Sequence, residues 1–414
     1  MQIRKLVLGL AAAGFAAASP LAAADDVEVL HLWTSGGESK AVNVLKQDLE
    51  KKGDVWKDFA VAGGGGANAM TVLKTRVIAG NAPAAAWLRG PSIQDWAEQG
   101  ALANLDAVAK DWEKVLPPAI SKVDQYQGHY VAAPHWIHRV NWMWINKAAL
   151  DKVGGKAPTT WPEFFALADK LKAAGYIPIA HGETAYQDRV LFETVVLSMG
   201  KDFYRKAIVD LDPATLTSPK MAEVFDIMRK TQSYHDNGVQ GRSWNLAAGM
   251  VSEGKAAILF MGDWAKGEFS AANKSAGKDY VCFAAPGTEG SYTFIADSFV
   301  FFKQKNATGL TKGQQDLAST IMSVAYQEQG ALYKGAIPSR IDASLASFDD
   351  CAKKSSADLK AAISTDSLVP SIGQAASEAA VGAMHDNLSK FMTSSQDSKS
   401  AAAALAQALK ATKQ

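Results

Sequence analysis

Five side chains have the types and settings to hold a small polar ligand. Trp33 closes a β-prone run over 27–33, just ahead of Gly36 and Gly37, and Glu38 follows five residues on. Trp264 comes after a buried-looking run and the pair Gly262, Asp263. Trp244 sits in a polar stretch with Arg242, Ser243 and Asn245, where a tryptophan without a ligand is unusual. Asp297 interrupts the apolar run IADSFVFF, and a carboxylate buried there requires a partner. An indole offers a large rigid apolar surface. A carboxylate accepts hydrogen bonds, and a nearby cation donates them. Together they suit a molecule with an apolar face and a hydroxylated edge. Each residue also has a plainer role: indoles anchor cores, and Glu38 suits the positive end of a helix. Trp56, Trp112 and Trp161 are expected to be such anchors.

The elements that must position them alternate between strand and helix, which predicts an α/β fold. Strands are expected over 27–33, 55–61, 84–88, 176–180, 281–285 and 292–302. The run YVAAPHWIHRVNWMWI, 130–145, is long enough for one strand to cross between lobes. A helix begins after the 34–39 loop and ends before Gly53; another covers about 69–79. Thr160 and Glu163 form a capping box that starts a helix ended by Gly175. In open α/β sheets ligands gather at the carboxyl ends of strands, and Trp33, Glu38 and Arg89 lie at such ends. The glycine run 63–66 lacks the spacing of a phosphate loop and is expected to be a connection.

The chain has 414 residues, more than one core usually serves. Residues 1–24 read as an export leader: Arg4 and Lys5, an uncharged run, then Ala22 and Ala24 at a cleavage site. The expected location is therefore the periplasm. Without those residues, 41 basic side chains face 42 acidic ones, a formal charge of −1. That balance disfavours nucleic acid and anionic membranes as partners. No later segment predicts a membrane span. An oxidising compartment favours a disulfide between Cys282 and Cys351, although spacing alone does not decide it.

Three segments carry a resemblance: AGNAPAAAWLRG (79–90), PTTWPEFFALADKLKAAGYIPIA (158–180) and EGKAAILFMGDWAKGEF (253–269). In this order they resemble family 1 extracellular solute-binding proteins of bacterial ABC importers, nearest the glucose- or mannose-binding subgroup. The resemblance implies a periplasmic binding protein type II fold, two α/β lobes joined by a hinge of crossing segments. The first lobe is expected over 25–134 and 297–332, the second over 135–296 and 333–414. It also implies that a monosaccharide, glucose first, then mannose or galactose, lies between the lobes. Trp33, Glu38, Trp244, Trp264 and Asp297 are implied contacts. So are Lys334 in YKGAIPSR, His385 in VGAMHDN and, more loosely, Arg89. The quadruple glycine and the lack of an aspartate after Pro83 depart from the pattern.

The resulting expectation is a monomeric, non-catalytic importer component that needs no cofactor or metal and delivers sugar to membrane permease subunits. An exported glycosidase is the rival. It would need two carboxylates across the scissile bond, and only Glu38 and Asp297 suggest themselves. A binder of a disaccharide or another solute on the same fold is the second rival.

Overall fold

The computed structural model describes residues 24–63, 66–182, 184–305 and 307–412. The expected leader, apart from Ala24, lies outside the described residues.

Strands occur in the order β1 (Asp26–His31), β2 (Val55–Ala60), β3 (Ala85–Leu88), β4 (Gln125–Tyr126), β5 (His129–Tyr130), β6 (Ala132–Arg139) and β7 (Trp142–Asn146). They continue with β8 (Ile177–Ile179), β9 (Ala256–Phe260), β10 (Tyr280–Ala284), β11 (Tyr292–Phe301), β12 (Ile337–Pro338) and β13 (Leu368–Pro370). The larger sheet runs β12-β6-β11-β3-β1-β2, with β13 paired to β11. In it β1 is parallel to β2 and β3, whereas β11 is antiparallel to β3 and β6. The smaller sheet runs β10-β7-β9-β8, and β4 and β5 form a separate hairpin.

Each sheet has its own core. Val27, Val29, Trp136, Phe299 and Tyr326 pack in one; Met143, Phe164, Phe192, Phe225 and Phe391 pack in the other. β6 and β11 are buried along their whole length. Central strands covered on both faces read as continuous apolar runs. The Thr160–Glu163 capping box forms as expected, with Glu163 Oε2 accepting from Thr160 N at 3.2 Å, and starts the helix Trp161–Ala173.

The chain passes between sheets at places other than those expected. The run 130–145 is not one strand: β6 belongs to the larger sheet and β7 to the smaller. Asn141 makes the corner. Its Nδ2 donates to Thr288 Oγ1 and the Ser291 carbonyl at 3.0 and 3.1 Å, and its Oδ1 accepts from Thr293 N at 3.1 Å. Those bonds satisfy the turn, so the backbone can leave one sheet and enter the other. The expected divisions at 134/135, 296/297 and 332/333 fall inside β6, β11 and the helix Val324–Lys334. The sheets exchange chain between β6 and β7 and again between β10 and β11. After β13 the chain returns to the second core through the helices Glu378–Thr393 and Ser398–Ala411.

The disulfide between Cys282 and Cys351 is formed, with Cα atoms 6.0 Å apart. It ties β10 of the smaller sheet to the helix Asp350–Ser364, which packs on β11, β12 and β13.

Candidate functional site

Between the two sheets lies a cavity of about 450 Å3, and all eight nominated residues line it: Trp33, Glu38, Arg89, Trp244, Trp264, Asp297, Lys334 and His385. The first lobe contributes the carboxyl ends of β1 and β3, the middle of β11, and Lys334. The second contributes residues 184–186, 243–245, Trp264 and His385. This is where open α/β sheets place ligands.

Glu38 holds the helix-terminus position read for it and also lines the cavity. It stands in the first turn of the helix Gly36–Glu50, and its Oε2 accepts from Thr34 N and Ser35 N, each at 3.3 Å. Its Oε1 accepts from Lys334 Nζ at 2.9 Å, with both side chains under 10% exposed. Gly335, at φ +89, ends the helix behind Lys334; a Cβ there would lie 2.3 Å from the Asp263 carbonyl. Glycine is therefore required at that closure.

Asp297 sits at an irregularity in the β11–β6 register, where the pairing shifts between Asp297 and Ser298. Such a bulge re-aims a side chain. Its Oδ2 is 3.3 Å from His138 Nε2. Its Oδ1 is buried and has no hydrogen-bond partner. Burial would raise its pKa, but His138, helped by Arg89 and Lys334, overcomes this and holds it at about 2. The carboxylate is thus ionised throughout the physiological range.

The indoles form the apolar walls. Trp33 is 3% exposed, its ring 4.9 Å from His135 and edge-on to Phe299 at 5.5 Å. Trp264 lies back across Gly262, where a Cβ would come within 2.2 Å of the ring. Its Nε1 is buried without a partner. Trp244 is half-buried and is not in a loop as expected; it opens the helix Trp244–Ser252 after Ser243. His385 rides on the helix Glu378–Thr393, and its Nε2 also lacks a partner. Burial, then Arg189 and Arg89, pull its pKa down to about 3, so the imidazole is neutral. The Arg89 guanidinium lies 5.0 Å from the centre of the Trp87 ring.

The sequence model describing bacterial extracellular solute-binding proteins matches residues 34–311. The chain belongs to this family. A probable sugar-binding periplasmic protein of Brucella melitensis biotype 1 is 50% identical to this solute-binding protein over 420 residues, 98% of this chain and 99% of the relative. Another of that description, from Rhizobium meliloti, is 49% identical over 401 residues, 96% of each chain. Among solved structures, the bacterial solute receptor AcbH, described as exclusively preferring β-D-galactopyranose, superposes with a TM-score of 0.79. That match has 20% identity and covers 94% of this chain and 99% of AcbH. It establishes the two-lobed fold.

Among the cavity residues of this solute-binding protein that sequence reasoning passed over are Trp87, His138 and Tyr186. Trp87 had a signal, since side chains two apart along an extended chain share a face and Arg89, just past β3, was already noted. His138 had one too: an imidazole within a buried run needs partners as much as Asp297 does. Tyr186 had none. It follows a loop, and only the packing of the second lobe brings it to the cavity.

Proposed function

We propose that this protein is the substrate-binding component of a bacterial ABC sugar importer, working in the periplasm. The ligand in this reading is a monosaccharide, D-glucose first, with mannose and galactose as alternatives. One observation carries it. Within the indole-walled cavity, Asp297 Oδ1, His138 Nε2, Trp264 Nε1, Trp87 Nε1 and His385 Nε2 are buried polar atoms without hydrogen-bond partners. A buried polar group left unpaired costs about 1–3 kcal/mol. A pyranose supplies hydroxyls that both donate and accept, and C–H faces that suit indoles. The relatives' description as sugar-binding periplasmic proteins supports the same class.

In this reading the eight nominated residues contact the sugar directly or hold those that do. The lobes, about 24–139 with 292–370 and 142–284 with 378–412, close on it about their crossing segments. Binding stabilises closure only through contacts the open form lacks. The closed monomer then docks on the permease subunits. No turnover is assigned: a glycosidase needs a protonated acid at neutral pH. Asp297 is held ionised, and Glu38 is engaged by Lys334.

Titration calorimetry against glucose, galactose, mannose and maltose tests the reading. Glucose is expected to bind at micromolar Kd or tighter, about −8 kcal/mol. Small-angle scattering should show a smaller radius of gyration at saturating sugar. Absence of binding by every hexose, or hydrolysis of an aryl glycoside, would overturn it.

A further inference from the structure

His138 stands between two carboxylates that reach it from different lobes. On one side, its Nδ1 is 2.5 Å from Asp263 Oδ1, just beyond the end of β9 in the smaller sheet. Asp263 Oδ2 accepts from Arg139 N at 2.9 Å, so that carboxylate is anchored at both oxygens. On the other side, His138 Nε2 is 3.3 Å from Asp297 Oδ2, off the line of a hydrogen bond. His138 is 1% exposed, Asp263 3% and Asp297 4%, yet His138 and Asp297 both line the sugar cavity. Two atoms of this trio remain without hydrogen-bond partners: His138 Nε2 and Asp297 Oδ1.

We propose that His138 is itself a ligand contact, pairing with Asp297 as a clamp for one sugar hydroxyl. His138 Nε2–H donates to the hydroxyl oxygen, the hydroxyl donates to Asp297 Oδ1, and Asp263 fixes His138 as a donor. The proposal rests on the sugar reading above and adds a residue and its protonation state. A hydroxyl is at once donor and acceptor, so one orphan donor beside one orphan acceptor matches it. An imidazole whose Nδ1–H goes to a carboxylate has its orientation set, as for metal-bound histidines. In its neutral form that tautomer would turn a lone pair toward Asp297 Oδ2. In its cationic form both nitrogens donate.

The surrounding charges favour the cation. Burial pushes the His138 pKa down, but Asp263 and then Asp297 outweigh it and raise it above the ordinary histidine value. Lys334 and Arg89 act on Asp297 from the same cavity. His135, on the same strand, is kept neutral by burial and adds no competing cation. The Arg139 side chain pairs with Asp358, and Trp264 meets the His138 ring edge-on at 5.5 Å. Sugar affinity should therefore weaken as the pH rises through the raised His138 pKa.

The test joins nitrogen NMR of the histidines with calorimetry of D-glucose from pH 5.5 to 9. Both His138 ring nitrogens should be protonated at pH 5.5, and His138 should titrate above an ordinary histidine. H138Q keeps a neutral donor and should bind about tenfold more weakly, about 1.4 kcal/mol, with a flat pH profile. D263N retains the shape but not the fixing charge; it should lower the pH at which binding begins to weaken. Among 2-, 3-, 4- and 6-deoxyglucose, the analogue lacking the clamped hydroxyl should lose affinity for the wild type but little more for H138Q. A His138 that titrates at or below the ordinary histidine value, or an H138Q variant with wild-type affinity and pH profile, overturns the clamp and leaves the sugar reading standing. A wild type that binds no hexose sinks both.

Discussion

At the scale of single residues, the cavity and the core treat buried carboxyls in opposite ways. Asp297 lies among cations and stays ionised, whereas Asp124 is fully buried with neither carboxyl oxygen hydrogen-bonded. Burial raises the Asp124 pKa to about 7, opposed by the nearby Ser298 hydroxyl. The folded state therefore takes up this proton more readily than the unfolded chain. Its contribution is full below the unfolded pKa near 3.8 and is lost as the pH rises to about 7. D124N removes that titration. Urea unfolding at pH 5 and pH 8 should show the variant gaining on the wild type by a few kcal/mol at the higher pH. In the cavity, W264A and D297A should each weaken glucose binding at least about tenfold, about 1.4 kcal/mol, by calorimetry. The first removes an apolar wall, and the second leaves Lys334, Arg89 and His138 with less compensating charge. Wild-type affinity in both would remove these residues from the site.

At the scale of elements, the cavity depends on how closely the helix Ala265–Ala271 approaches its neighbours. Glu268 Oε1 accepts from Ser35 Oγ at 2.7 Å and Gly37 N at 3.0 Å, joining this helix to the start of Gly36–Glu50. Around that contact the backbones touch. A Cβ at Gly37 would lie 2.6 Å from the Gly267 carbonyl carbon, and one at Gly267 would lie 2.7 Å from the Tyr333 carbonyl oxygen. The seam cannot spread without moving Trp264 and Lys334, which flank it. G267A should cost about 1–3 kcal/mol in urea unfolding, as overpacking does, and should also weaken sugar binding. G382A is the control on the helix Glu378–Thr393. Its added methyl meets open space, so helix propensity predicts neutrality or a gain of about 0.5–1 kcal/mol. Equal effects of the two substitutions would show that the seam is not tightly packed. Most of these elements were legible beforehand. β2, β3 and the capped helix Trp161–Ala173 lie within a residue or two of where periodicity and capping put them. The break between β6 and β7 was not, because both strands share one unbroken β-prone pattern. What separates them is Asn141, whose partners Thr288, Ser291 and Thr293 lie about 150 residues away.

At the scale of the whole molecule, two lobes are held by few covalent threads. One is the Cys282–Cys351 disulfide, which closes 69 residues of chain and links the two sheets. On the loop-entropy account, removing it costs about 4 kcal/mol. C351S should lower the unfolding free energy, extrapolated from urea titrations, by that amount, and saturating glucose should raise the midpoint of variant and wild type alike, since ligand binds only the folded state. An unchanged midpoint would mean that the cross-link does not constrain the unfolded chain. The sequence by itself determined the α/β class, most strand and helix positions, and the residue types that suit a sugar. These follow from local patterns: period, caps, and a charge inside an apolar run. The tertiary structure alone decided where the chain changes sheets, that Cys282 meets Cys351, and that Trp87, His138 and Tyr186 join the cavity. It also decided that Asp297 is ionised beside His138 and Lys334 is spent on Glu38. Those outcomes depend on distances between segments far apart in the chain, and a pKa or an unpaired atom exists only once such neighbours have been brought together.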